Sequence, residues 1–291
     1  MSKAPPSLED LRRRIDQLDD ALHDVLMQRA EVVAQVAQLK QADATPPLRP
    51  GREAQILRRL IARHRGGFPR PVLVRLWREL LSGTTAMQAA LQVAVFAPLP
   101  TSGFWDLARD HFGSQTAMIA MRSTGEVVSA VIDGRASLGV LPVPGQRDGD
   151  SWWRLLMGTD SAKPRVIARL PFGARGNTRS EEADAFVIAR IAPEPSGADR
   201  SLYLIETGEG LSRTRIIAAL GDAGLRATRL AGTEPGGPSD LQLVEFDDWV
   251  APDDARLKNG LSALGSKLIG VASLGFYARP LTEAELSGTE A

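Results

Sequence analysis

Apolar residues in the first ninety positions recur every three or four places. Leu11, Ile15, Leu18, Leu22, Val25, Val32, Val36 and Leu39 form the longest such series, the spacing of a helix with one apolar stripe. No Gly or Pro interrupts the chain from Ser7 to Lys40, and Ser7-Leu8-Glu9-Asp10 offers an N-cap with acids in the first turn. A helix of that length is too long to stand alone in a globular domain, which predicts packing along a partner helix. The loop QADATPPLRPG ends it. The pattern predicts a second helix from near Arg52, with Ile56, Leu57, Leu60 and Ile61 on one side, stopping at RGGFPRP. It predicts a third from about Pro71 through Leu73, Leu76, Trp77, Leu80, Leu81, Met87 and Leu91.

From Gln92 onward the pattern changes. LQVAVFAP, TAMIAM, SLGVLPV, PRVIARL and DAFVIARI are short apolar, β-branched runs between Gly- and Pro-rich turns, with helical segments expected at Phe104–His111 and Glu126–Asp133. This alternation predicts an α/β layer with parallel strands. IAPEPSGADR reads as a linker. Beyond it the order is strand SLYLIET, helix SRTRIIAALGDAG, strand LRATRLAG, strand DLQLVEFD, helix DDARLKNGLSALG and strand KLIGVASLGFY. That is βαββαβ, the ferredoxin-like order. The expectation is a multidomain chain: an all-α three-helix part over residues 1–92, an α/β lobe over 93–195 and an α+β ferredoxin-like part over 200–282.

Composition narrows the classes. A chain of 291 residues is long enough for two or three domains. No apolar run approaches the roughly 20 residues that span a bilayer, and MSKAPPSLEDLRRRID lacks the apolar stretch of a secretory signal. The absence of cysteine excludes disulfides and cysteine-ligated metals, and makes a cytoplasmic protein the expectation. His23, His64 and His111 are too scattered for a metal-ligand spacing. Net charge is zero, yet residues 1–92 carry 15 Lys+Arg against 10 Asp+Glu, leaving 20 against 25 for the remainder. A basic N-terminal part attracts either nucleic acid or a small polyanion.

The first helix also carries cations where it is expected to be buried. Val25, Val32, Val33, Val36 and Leu39 line one stripe, and Arg29 and Lys40 fall on it; eleven residues at about 100° each return to within about 20° of the start. On the third helix Thr84 and Gln88 recur at helical spacing with Trp77, Leu80 and Leu91, and Arg52 and Glu53 open the second. Arg12 is turned roughly 100° from Arg29, so it faces a neighbouring chain more readily than the same pocket. A single such Arg is ordinarily a snorkelling side chain. Several cations with a Gln, a Thr and a Glu at core-facing positions of three successive helices instead make a cavity for a small anion, because an unpaired buried cation costs several kcal/mol.

LRRRIDQLDDALHDVLMQRAEVVAQVAQLK, LRPGREAQILRRL and LWRELLSGTTAMQ together resemble the all-helical chorismate mutase family over about residues 7–92. The resemblance implies an intertwined homodimer, with Arg12 of one chain entering the pocket of the other, and chorismate as the substrate converted to prephenate. It implies that Arg29 and the partner's Arg12 clamp the two carboxylates with Thr84 assisting, that Lys40 and Gln88 hydrogen-bond the ether oxygen, that Glu53 takes the ring hydroxyl, and that Arg52 supports the loop. The rearrangement is intramolecular, so no metal or cofactor is implied. The family often has an acid where this chain has Arg49, which leaves Glu53 to carry the hydroxyl contact alone or the loop arranged differently.

Residues 93–195 resemble, more weakly, a prephenate dehydratase, through QVAVFAP and VVSAVIDGRASLGVLPV. Its motifs are missing: Val143-Pro144-Gly145-Gln146 stands where an acidic-Asn-Ser run is expected, and Asp184-Ala185 where Thr-Arg is expected. The implied part is a degenerate, non-catalytic lobe. Residues 200–282 resemble an ACT domain by element order, with only Arg229 matching its ligand motifs; an aromatic amino acid effector and a purely structural role both stay open. The competing readings are a bifunctional mutase and dehydratase, cleavage of a related isochorismate adduct, and a helical nucleic-acid-binding module using Arg12–Arg14 and Arg58–Arg65. Core-facing cations and sparse aromatic residues speak against the last. The expected partners are therefore a small-molecule substrate and a second copy of the chain, with no nucleic acid and no membrane.

Overall fold

The computed structural model describes residues 6–42, 47–99, 103–145, 151–157, 163–177, 183–233 and 239–288, without the side chains of residues 40–42. The chain divides into two compact units: Met1–Leu48 with Thr84–Ala90, and Arg49–Gly83 with Leu91–Ala291.

The first unit is dominated by α1, Leu8–Ala42. Its N-terminus is closed reciprocally: Asp10 N–H donates to Ser7 Oγ at 3.1 Å, and Ser7 N–H donates to Asp10 Oδ2 at 3.2 Å. The cap read from the sequence is therefore formed. The buried stripe is not. Within the single chain Val25 and Val32 are each 58% exposed and Leu39 is 70% exposed. The half-covered face is a neighbouring one, made of Leu26, Arg29, Ala30, Val33, Ala34 and Ala37. Helical periodicity specifies a stripe but not what covers it, and no described α1 residue from Leu8 to Leu39 is buried.

The second unit begins with α2, Pro50–Arg63, two residues earlier than the apolar pattern suggests. Pro50 occupies the first turn, where its missing N–H costs nothing. Then comes α3, Arg70–Ala86, whose last three residues belong to the first unit. α3 stops short of Met87 because Gln88 N–H bonds back three residues to Thr85 O at 2.9 Å, tightening the final turn. Gln88 thus lies in a turn and not on the helix stripe.

The α/β portion comprises β1 (Gln92–Phe96), α4 (Gly103–Phe112), β2 (Ala117–Met121), α5 (Thr124–Ile132), β3 (Leu138–Pro142), β4 (Arg165–Leu170) and β5 (Ala185–Ala189). β1 pairs parallel with β2 and β3, as the alternation predicts. β5 is antiparallel to both β3 and β4. The layer is therefore mixed. A 3₁₀ segment, Trp152–Leu156, buries Trp152 and Trp153, and Trp152 Nε1 donates to Pro142 O at 3.0 Å.

The ferredoxin-like portion follows as β6 (Asp199–Thr207), α6 (Arg213–Asp222), β7 (Ala227–Gly232), β8 (Asp240–Phe246), α7 (Ala255–Ser262) and β9 (Leu268–Ala278), with a short α8 (Glu283–Ser287) at the end. Tyr203, Ile205, Ile216, Leu220, Val244, Phe246 and Leu257 make the core beneath α6 and α7. The two portions share one nine-stranded sheet, ordered β2-β1-β3-β5-β4-β9-β6-β8-β7. The stretch read as a linker is tied down: Ser196 and Asp199 are buried, and Asp199 accepts from Ser196 N–H at 3.0 and 2.9 Å.

The seam is the parallel contact of β4 with β9, where Val166 faces Gly275. Gly275 has φ +141°, and a Cβ there would overlap the Val166 carbonyl. Arg165 Nη1 reinforces the crossing by donating to Ser273 O at 2.9 Å. Gly275→Ala is expected to destabilise the protein by on the order of 3 kcal/mol, read as a lowered midpoint in chemical denaturation, whereas Gly221→Ala, with open space around it, should leave the midpoint within about 0.5 kcal/mol.

Candidate functional site

In the first unit, Arg12 lies exposed on α1 and Arg29 lies on its half-covered face. At 1.5 Å per residue the two are roughly 25 Å apart along one straight helix, so a single α1 cannot bring them to one small ligand. Lys40 is within α1, but its side chain lies outside the described residues. Thr84 and Gln88 are both half-buried, and Gln88 Nε2 donates to the Thr84 carbonyl at 3.1 Å. Gln88 Oε1 is buried with no hydrogen-bond partner among the described residues. A buried amide oxygen in that state calls for a partner beyond the described residues.

In the second unit, Arg52 and Glu53 occupy the first turn of α2. Arg52 is exposed; its Nη1 donates to Gln55 Oε1 at 3.3 Å and its backbone N–H donates to Glu194 Oε1 at 3.2 Å. Arg49, the residue departing from the family pattern, donates from Nε and Nη2 to Glu194 Oε2 at 2.9 and 2.5 Å. Glu194 thereby meets both a guanidinium and the N-terminus of α2, where a negative charge is favoured.

Glu53 is occupied. Its Oε2 accepts from Arg78 Nη1 at 2.8 Å, and the two side chains are only 14% and 6% exposed. Burial lowers the Arg78 pKa from its ordinary value, and the Glu53 charge opposes that shift. The Arg78 guanidinium also lies 4.9 Å from the centre of the Phe172 ring, within cation–π range. Arg58 approaches the same ring at 5.9 Å and donates to Ser196 Oγ, Ala198 O and Arg279 O at 2.9, 2.8 and 2.8 Å. Around them Leu57, Ile61, Val74, Phe172 and Leu281 form an apolar cluster. Arg78 was not singled out by the sequence. Its signal was position: it follows buried Val74 by four residues and precedes buried Leu81 by three, placing it on the core side of α3.

Where a dehydratase motif is missing, Asp184 accepts from Arg169 Nη2 at 3.1 Å and also from Arg175 Nη2. Arg229 donates from Nε to Gln242 Oε1 at 2.5 Å. Among the described residues no group of three or more His, Asp or Glu could hold a metal ion, and no helix is long and apolar enough to cross a membrane.

The long capped helix α1 is followed in the chain by the two shorter helices α2 and α3. Residues 11–89 match the family model described as chorismate mutase type II, and the N-terminal part of the chain is a domain of that family. The bifunctional chorismate mutase/prephenate dehydratase of Stutzerimonas stutzeri is 32% identical over 51% of this chain and 42% of its own length. The protein of the same name from Pseudomonas aeruginosa is 32% identical over 49% of this chain and 40% of its own. The aligned part thus spans less than half the length of these curated relatives. A prephenate dehydratase from Streptococcus mutans superposes with a TM-score of 0.48 and 13% identity, covering 65% of this chain and 98% of that one.

Breaking the buried ion pair from one side strands the other charge. Arg78→Met is expected to cost about 3–5 kcal/mol, with Glu53→Gln/Arg78→Met recovering much of it; a double-mutant cycle in denaturant that shows additivity would mean the two side chains are not coupled.

Proposed function

We propose that the protein is a chorismate mutase, acting as a homodimer, whose sheet-bearing portion is non-catalytic. The observation that carries the reading is the family match over residues 11–89, on a chain whose 35-residue α1 holds Arg29 on its half-covered face. The reaction is an internal rearrangement. It needs the dicarboxylate held in its compact reactive form and charge stabilised as the ether C–O bond breaks. In this reading Arg29 and the partner's Arg12 take the carboxylates, with Thr84 assisting, and Lys40 and Gln88 face the ether oxygen. Gln88 Nε2 has a second N–H beyond the one given to Thr84 O, so it can still donate. Glu53 takes the ring hydroxyl while held by Arg78, and Arg52 supports the turn beside it.

The dimer reading is supported by α1 itself. Leu11, Ile15, Leu18, Leu22, Val25, Val32, Val36 and Leu39 are between 42% and 70% exposed, and each contributes roughly 1.5–3 kcal/mol when fully buried. A second copy covers this stripe and supplies Arg12 in the same act. The non-catalytic reading of the sheet-bearing portion is supported by Asp184, whose carboxylate is shared by two guanidiniums. For that portion a structural role is favoured over an aromatic amino acid effector site, because Arg229 is engaged by Gln242. A cytoplasmic location fits a chain without cysteine.

Purified protein is expected to consume chorismate and release prephenate, with no phenylpyruvate formed; phenylpyruvate from prephenate would overturn the non-catalytic reading. Lys40→Ala should lower turnover about 10²–10³-fold, the usual cost of one transition-state donor. Gln88→Glu should move the pH optimum downward, because only a protonated carboxyl donates to the ether oxygen; an unmoved profile would remove Gln88 from that contact. Leu22→Glu/Val25→Glu should sediment as a monomer and lose turnover together, and an active monomer would contradict Arg12 acting across the interface.

A further inference from the structure

The second unit holds a cleft of about 220 Å³ between α3, the C-terminal turn of α4 and the loop after β4. Three guanidiniums, those of Arg75, Arg78 and Arg175, line it against one carboxylate, that of Asp110. Arg75 Nη2 meets Asp110 Oδ1 at 2.5 Å and keeps 44% of its side chain exposed. Arg175 is 37% exposed and shares Asp184 with Arg169, which also meets Glu245 at 3.6 Å. Each lining guanidinium has a carboxylate partner, Asp110 for Arg75, Glu53 for Arg78 and Asp184 for Arg175, so what the cleft offers a ligand is the part-exposed N–H edges of Arg75 and Arg175 beside apolar walls from residues such as Val72, Leu107 and Phe172. The loop is built to lie close: a Cβ on Gly176 would come within 2.6 Å of Asp110 Oδ2 and 2.9 Å of Arg75 Nη1, and one on Gly173 within 3.0 Å of Val74 Cγ1.

His111 completes the lining. Burial first, and the nearby Arg78 charge second, hold its pKa well below the usual imidazole value. It therefore offers one donor and one acceptor and adds no charge. At this size the cleft is below the 300–1,000 Å³ typical of drug-sized sites, and it suits a small metabolite.

We propose that this cleft binds a small organic carboxylate with an apolar body, its carboxylate between Arg75 and Arg175 and its body against Phe172 and Leu107. Occupancy reaches further through Arg78, which lines the cleft on one side and holds Glu53 at 2.8 Å on the other. A carboxylate drawing Arg78 toward the cleft weakens its hold on Glu53, so the cleft is a regulatory site for the mutase pocket. That second step rests on the mutase reading above; the binding step does not.

Calorimetric titration of the full chain with phenylacetate tests binding, with phenylacetamide as neutral isostere and inorganic phosphate as an anion without an apolar body. Phenylacetate is expected to bind saturably and at least tenfold more tightly than either. Arg75→Gln and Arg175→Gln should each weaken it at least tenfold, while Arg122→Gln, on the exposed surface away from the cleft, should not. Two variants guard against one failing to fold. Equal affinity for acid and amide, or binding insensitive to both cleft variants, overturns the site. Saturating phenylacetate should change the KM for chorismate in the wild type and not in Arg75→Gln. Binding without a change in KM overturns the link to Glu53 alone. Absence of chorismate turnover would remove the mutase reading, and the calorimetry would still decide whether the cleft binds a carboxylate.

Discussion

The Arg78 guanidinium lies over the Phe172 ring and pairs with the Glu53 carboxylate, and this arrangement holds α2 and α3 to each other and to the loop after β4. Each component alone would be costly. A buried guanidinium without a counter-charge forfeits several kcal/mol of solvation, and an ion pair in an apolar cluster recovers that loss only with good geometry. The ring and the carboxylate each offset part of that loss, the first by cation–π attraction and the second by a charge-assisted hydrogen bond. Arg58 and Arg49 extend the same logic outward, tying α2 to the 194–198 segment and to the chain after β9. α2 is therefore anchored by arginines to residues that lie more than a hundred positions away in sequence.

That anchoring changes how the helices divide their duties. α2 commits its buried face, Ala54, Leu57 and Ile61, to Phe172, Ala278 and Leu281. α1 keeps a continuous apolar stripe uncommitted. Most helical stability in proteins comes from packing an amphipathic face, so the exposed stripe of α1 has apolar area left to bury by association. Arg12, Arg29 and Lys40, three of the residues proposed to hold the dicarboxylate, share α1 with that stripe, which makes assembly and site formation aspects of one event in the proposed dimer.

Much of this was legible from the residues. Ser7 and Asp10 announced the start of α1, the β-branched runs announced β1 to β5, and the βαββαβ order emerged from alternation alone. Direction was not: a five-residue run such as Ala185–Ala189 reads the same whether its neighbours are parallel or antiparallel. Gln88 left the helix because of one backbone bond to Thr85 that no side chain signals. Arg49 looked like a defect in the mutase pattern until Glu194 accounted for it. Arg78 was hidden among fifteen cations, since its meaning depends on Glu53 and on Phe172, neither of them local. Spacing along a helix identifies which side chains face inward; which of them meet each other depends on distant chain segments.

The β4–β9 contact at Val166 and Gly275 makes the α/β and ferredoxin-like portions continuous through their backbones. Severing the chain near residue 197 would therefore not release two finished domains. Were the two pieces then parted, β4 and β9 would each present strand backbone at a new edge, the template on which strands of other molecules add. The fused protein is protected from such edge-to-edge growth by its own second half.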